Sequence, residues 1–339
     1  MMLGDLGANV LKIERPGGGD DTRGWGPPFD AEGLSAYFLS VNRNKWSVAA
    51  DLDDPRDQAF VRELATTADV VVENFVPGSL ERRGLGYERL MAANDRLVWC
   101  TVVGFGEGDG RVGYDFTVQA ECGWMAITGD PDGAPMKVGV ALADVIAGKD
   151  AAIAVLAALV GRDRGIERRV VISLARSAAA ALVNVAQNVL VTGQDAPRWG
   201  NAHPNLVPYE LFQAADRPLV IAVGNDGQWR RCAEALELSA LTADPSLASN
   251  AGRIAARERV VAAIAARVAE RPAAEWIARL DRAGVPNGVV KTVLEALREV
   301  ECSPVSGVAP SVPGIIRYGP PRLDEQGSRV RAAGWDAFY

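Results

Sequence analysis

Residues 1 to 173 alternate short β-branched runs with helical patterns, and this alternation limits the possible folds more than any other property of the chain. Strand-like runs over 9–14, 69–75, 97–103 and 170–173 are separated by helical patterns over 55–66, 87–94, 117–127 and 145–161. Such an order predicts an α/β fold with a mostly parallel, Rossmann-like sheet, which binds ligands at the carboxyl ends of its strands. A long apolar helical pattern over 174–191 leads into a loop rich in Gly, Pro and Asn. Beyond it come strands near 210–214 and 219–223, then helices over 226–238, 253–271 and 272–283. The expected organisation is a large lobe over 1–191, a smaller α+β lobe over 192–290, and a return segment over 291–339 that packs on the large lobe.

Composition removes several function classes. The chain has 339 residues, 48% of them hydrophobic, and a net charge of -7, so a nucleic-acid partner is not expected. Four scattered cysteines form no C-x-x-C pair, and a single histidine, His203, cannot build a His-rich metal site. No metal or redox cofactor is expected. No apolar run approaches the length of a membrane span, and the N-terminus lacks the features of a signal peptide. These properties predict a cytoplasmic protein with no membrane partner.

Asp144 carries the sharpest chemical question. It stands where the Gly/Val-rich KVGVALAD meets the Ala/Leu-rich helical pattern. One reading makes it a helix N-cap, because a carboxylate satisfies free N–H groups there. The other makes it a nucleophile held by those N–H groups, able to attack an activated acyl carbon. Elsewhere, PGGGDD fails the spacing of a phosphate loop and reads as a turn. Lys12, Arg15, Arg23, Arg43 and Lys45 cluster near the ends of early strands, as solvated surface or as an anion site. In ADVVVENFVPGSLERRGLG a strand delivers Asn74 and Phe75 to the sheet edge, with Arg82 on a short basic helix beyond; an amide, an aromatic face and a cation suit a nucleotide. In GYDFTVQAECGWM, Tyr114 and Asp115 lie at a loop-to-helix junction.

These blocks, with DLGANVLKIERPGGGDDTRGWGP, YFLSVNRNK, RWGNAHPNLVPYELF and AGVPNGVV in the same order, resemble the class III (family III) CoA-transferases over nearly the whole chain. That family includes formyl-CoA and carnitine CoA-transferases, with α-methylacyl-CoA racemase as a close cousin. The resemblance implies that CoA is moved from an acyl-CoA donor to a carboxylic acid acceptor through an aspartyl-CoA thioester. It matches Asp144 to the nucleophile, places Tyr114 and Asp115 at the reaction centre, and suggests that Lys12, Arg15, Asn74, Phe75 and Arg82 contact CoA. It also implies an interlocked homodimer. An ionised Asp needs no general base, which agrees with the near absence of histidine. The alternatives are a racemase-like isomerase, in whose relatives a His matches Tyr114, and a non-catalytic acyl-CoA-binding homologue.

Three positions depart from the resembled pattern. Trp46 and Arg176 stand where relatives usually carry a basic and an acidic residue, and the loop GEGDGRVGYD is short. Relatives also carry a further strand and most of a helix ahead of the position matching Met1. A sheet lacking an interior strand, and a chain that is unstable or inactive alone, are therefore expected. Equal melting temperature and activity in an upstream-extended chain would defeat that expectation.

Overall fold

The computed structural model describes residues 1–339, which fall into two compact units. The first comprises Met1–Trp124, Val138–Thr192 and Leu297–Tyr339, and the second Met125–Lys137 and Gly193–Ala296. The segment Met125–Lys137, within the first lobe by chain order, thus groups with the second unit.

Besides a short antiparallel pair, Cys302–Ser303 with Gly307–Val308, five strands build the first unit: β1 (Val10–Glu14), β2 (Lys45–Ala49), β3 (Val70–Glu73), β4 (Val98–Val103) and β5 (Arg169–Ser173). All their pairings are parallel, as the alternating pattern requires, but the strands form two sheets, β1–β2 and β3–β4–β5. β1 pairs only with β2, and β3 only with β4, so the single sheet expected from sequence is divided. Between the strands run α1 (Ala36–Asn42), α2 (Pro55–Thr67), α3 (Ser79–Arg82), α4 (Tyr87–Ala93), α5 (Asp115–Glu121) and α6 (Leu142–Gly161). α2 begins where Asp54 accepts from Arg56 N–H and Pro55 takes the first helical position, a place that needs no donor.

Two predicted helices are interrupted. The pattern over 117–127 stops at Cys122, because Gly123 adopts a left-handed φ of 84°, and a separate turn, Trp124–Ile127, follows. The pattern over 174–191 divides into α7 (Leu174–Ala180) and α8 (Val183–Thr192), which meet at 74°. Val183 at the break has a φ of 44°, a strained conformation for a β-branched residue. No single helix is long and apolar enough to cross a membrane.

The C-terminal segment completes the first unit by serving the outer edge of β2. Gln326 Oε1 accepts from Ser47 N–H at 2.9 Å and Asp324 Oδ1 from Ala49 N–H at 2.8 Å, so that edge is paired without another strand. Trp46 stacks on Phe338 with ring centroids 3.8 Å apart, which gives this unusual tryptophan an apolar seat.

The second unit carries the antiparallel sheet β6 (Tyr209–Gln213), β7 (Pro218–Ala222) and β8 (Asn287–Val289). α9 (Asp226–Ala235), α10 (Arg257–Val268) and α11 (Ala273–Arg282) supply Trp229, Ile264, Trp276 and Leu280 to its core. The buried Arg253 donates to the carbonyls of Val207 and Leu247 and to Asp226, tying loops to that core. His203 is held in its loop, accepting from Asn205 N–H at Nδ1 with its ring 5.1 Å from Tyr209.

Candidate active site

The carboxyl end of β4 leads into a loop that returns on itself through two glycines. A Cβ on Gly104 would lie 2.5 Å from the Gly113 Cα, so only glycine permits this closure. The closure delivers Tyr114 and Asp115 to the start of α5. Thr117 fixes the Tyr114 backbone, accepting from its N–H at 3.2 Å and donating to its carbonyl at 2.8 Å, while the Tyr114 ring stays exposed.

Asp115 reaches from α5 to the head of α6. Its Oδ1 accepts from Ala143 N–H at 2.8 Å and from Asp144 N–H at 3.3 Å. The first-turn N–H of Leu142 is bound to Val140 O at 2.8 Å. Asp144 therefore is not the N-cap of α6. It is the third helical residue, the N-cap position belongs to Ala141, and a carboxylate from another helix performs the capping. The same geometry revises the second sequence reading, since the helix-terminal N–H groups serve Asp115 and leave the Asp144 carboxylate without backbone donors.

An acid in this position is held back from ionising. Part of the Asp144 side chain meets solvent, yet partial burial, and then the negative charge of Asp115, raise its pKa from 3.8 to about 6. It is still mostly ionised at neutral pH, but more basic and less solvated than an ordinary aspartate. Tyr37 on α1 stands in the field of both Asp144 and Asp115, and burial together with their charges raises its pKa. Trp25 meets Tyr37 edge-on at 5.0 Å. Sequence reasoning passed over both aromatics; their only signal was membership of the quoted blocks.

The remaining candidates lie in two groups at strand ends. Lys12 within β1 pairs with Asp20, and just beyond the strand Arg15 pairs with Asp21. Beyond β3, Asn74 and Phe75 are exposed, Phe75 N–H donating to Glu73 Oε2 at 2.8 Å. Arg82 is exposed and engaged in no ion pair. No hydrogen bond or ion pair links either group to Asp144. Three cations of the early cluster are structural. Arg23 bonds the buried Glu14 at 2.7 and 2.8 Å. Arg43 is enclosed by Asp5 and the carbonyls of Ser306 and Val308. Lys45 is tied to Asn42, and its pKa is lowered to about 8, chiefly by burial.

The family model of CoA-transferase family III matches residues 1–308. The chain belongs to CoA-transferase family III. Among its relatives is the succinate–glutarate CoA-transferase of Agrobacterium fabrum, 42% identical over 303 residues, which cover 87% of this chain and 76% of that protein. The succinyl-CoA:glutarate CoA-transferase of Mus musculus is also 42% identical, over 89% of this chain and 70% of its own length. A crystal structure of a CAIB/BAIF family protein from Brucella suis superimposes with a TM-score of 0.86 at 37% identity, covering 98% of this chain and 93% of that one. As a CoA-transferase this protein acts on coenzyme A thioesters, moving CoA from an acyl-CoA to an acid.

Proposed function

We propose that this CoA-transferase works through Asp144. The carboxylate attacks the acyl carbon of the donor thioester, the C–S bond breaks, and CoA leaves as the thiolate, giving a mixed anhydride. The thiolate then attacks the Asp144 carbonyl carbon and expels the donor acid, which leaves an aspartyl-CoA thioester. An acceptor carboxylate attacks that thioester and releases the thiolate again. The thiolate then takes the acceptor acyl group and frees Asp144. Each bond formed balances one broken, and no outside base or oxidant is needed.

The observation that carries this reading is the removal of capping duty from Asp144 by Asp115. A carboxylate with a raised pKa and no backbone donors is a stronger nucleophile than a solvated one, because less stabilisation is lost on attack. An isomerase is less well supported, since Tyr114 stands where a near-neutral base would be required and His203 is held in a loop of the second unit.

For CoA itself we assign Arg15 and Arg82 to the phosphates, with Lys12 behind them, and Asn74 and Phe75 to the adenine end. The names of the relatives favour a dicarboxylate pair, with succinyl-CoA as donor and a five-carbon diacid as acceptor. A second copy of the chain, interlocked with the first, is the proposed cover for α8, where Val183, Leu190 and Val191 are 69%, 76% and 74% exposed. The test is Asp144→Asn, assayed with succinyl-CoA and glutarate. Transfer is expected to vanish while CoA binding by calorimetry stays within about threefold; retained turnover would remove Asp144 from the mechanism.

A further inference from the structure

Gln119 lies one turn beyond Asp115 on α5, next to the core residue Val118, and is fully buried. Its amide is used at both ends. Oε1 accepts from Val138 N–H at 2.8 Å, and this fixes Nε2 on the opposite side. Nε2 donates to Asp115 Oδ2 at 2.7 Å and to Val140 O at 3.3 Å. Asp115 is thereby spanned, one oxygen held by Gln119 and the other occupied by the Ala143 and Asp144 amides. Val140 O also receives Leu142 N–H, so one side chain joins α5, the segment entering α6 and the first turn of α6.

A buried amide that served only to fill space would be replaceable by an apolar residue of equal volume at small cost. The body of α6 packs through the buried Ala143, Ala147, Ala151 and Val155. The hydrogen bonds instead converge on the single turn that carries Asp144. A displacement of about 1 Å at a reacting group costs on the order of a hundredfold in rate, so the orientation of this turn is where a fixed amide has most effect.

We propose that Gln119 is a positioning residue for CoA transfer, clamping Asp115 and the 138–140 segment so that the first turn of α6 presents Asp144 to the thioester. This rests on the reading of Asp144 as nucleophile. The ionisable groups nearby are Asp115 and Glu121 on α5, Asp144, Lys149 and Asp150 on α6, Arg176 on α7, and Tyr37 on α1. Glu121 is paired with Arg111, Asp150 accepts from the Ser177 hydroxyl, and Lys149 and Arg176 are exposed. Lys137, which precedes Val138, is also exposed, and Asp115 and Asp144 are the two acids that meet at the α6 amides.

Gln119→Glu replaces Nε2 by an oxygen at the 2.7 Å separation, and two carboxylate oxygens that close must share a proton. While the proton is present, the bridge to Asp115 and its single negative charge equal those of the parent, and only the longer donation to Val140 O is lost. Once it leaves, repulsion opens the clamp. Gln119→Glu should therefore acquire an alkaline limb in its kcat profile that the parent lacks. Gln119→Met, matched in volume but without the amide, should lose about tenfold in kcat at every pH, with KM for succinyl-CoA changed less than threefold.

The experiment compares both variants with the parent: kcat and KM against pH with succinyl-CoA and glutarate, thermal unfolding, and mass spectrometry for a CoA-derived adduct on Asp144. The new limb and the kcat loss, in folded variants that still form the adduct at permissive pH, support the proposal. An adduct in the parent together with unchanged profiles in both variants overturns Gln119 alone. No adduct in the parent overturns the Asp144 reading and the proposal with it. Loss of the fold in both variants makes Gln119 structural and also ends the proposal.

Discussion

Asp144→Asn should make the first unit more stable at pH 8 and leave it almost unchanged at pH 4. The folded protein raises this acid from 3.8 to about 6, so it holds the proton more tightly than the unfolded chain does. The resulting stabilisation is complete below about pH 4 and is lost as pH rises through about 6. About 1.4 kcal/mol per unit sets an upper bound of roughly 3 kcal/mol for the cost of ionising Asp144 in the fold. Because more than a third of the residue meets solvent, screening reduces this to about 1 kcal/mol. Asn carries no charge and removes that cost, which for a chain of this size corresponds to about 1–3 °C in Tm. Scanning calorimetry of parent and variant at the two pH values is the assay. A variant no more stable than the parent at pH 8, or stabilised equally at both, would refute the reasoning. Such a gain would mark Asp144 as a group kept at the expense of stability.

Three further changes test the surrounding structure. In the parent, the acid limb of the kcat/KM profile should lie near pH 6; Asp115→Ala removes the neighbouring charge and should move it lower, while the uncapped α6 loses about 1 kcal/mol by denaturant unfolding. Arg82→Ala should raise KM for the acyl-CoA about tenfold with kcat nearly constant, and salt should narrow the difference, if Arg82 makes the proposed phosphate contact away from the reacting atoms. Asp5→Ala strands Arg43, whose guanidinium is 3% exposed, and should cost about 3–5 kcal/mol in urea unfolding.

The first unit was legible where hydrophobic periodicity was strong. β3, β4 and β5 and the helices α2, α4 and α6 lie within a few residues of the positions read from the sequence, because each has an apolar face to bury. β2 was missed: KWSVA is short, begins with a charged residue, and is finished on its outer edge by side chains from the distant C-terminus. The break between α7 and α8 was missed because the apolar pattern continues through Val183, whose left-handed backbone no local residue announces. Asp144, Asp115 and Tyr114 were named from the sequence as candidates, and the structure brings the two acids together. What could not be read was which acid caps and which is capped. That depends on a contact between residues 29 apart, so the local sequence left both readings of Asp144 open. The pairs Arg23–Glu14 and Arg43–Asp5 likewise turned apparent anion-binding cations into buried structure.

The most direct measurement is to mix the protein with succinyl-CoA, reduce at once with borohydride, digest, and map the change by mass spectrometry. A thioester on a carboxyl is reduced to an alcohol, so the account predicts homoserine in place of aspartate at position 144, dependent on succinyl-CoA and absent from Asp144→Asn. Rapid transfer to glutarate with an unmodified residue 144 throughout would contradict it.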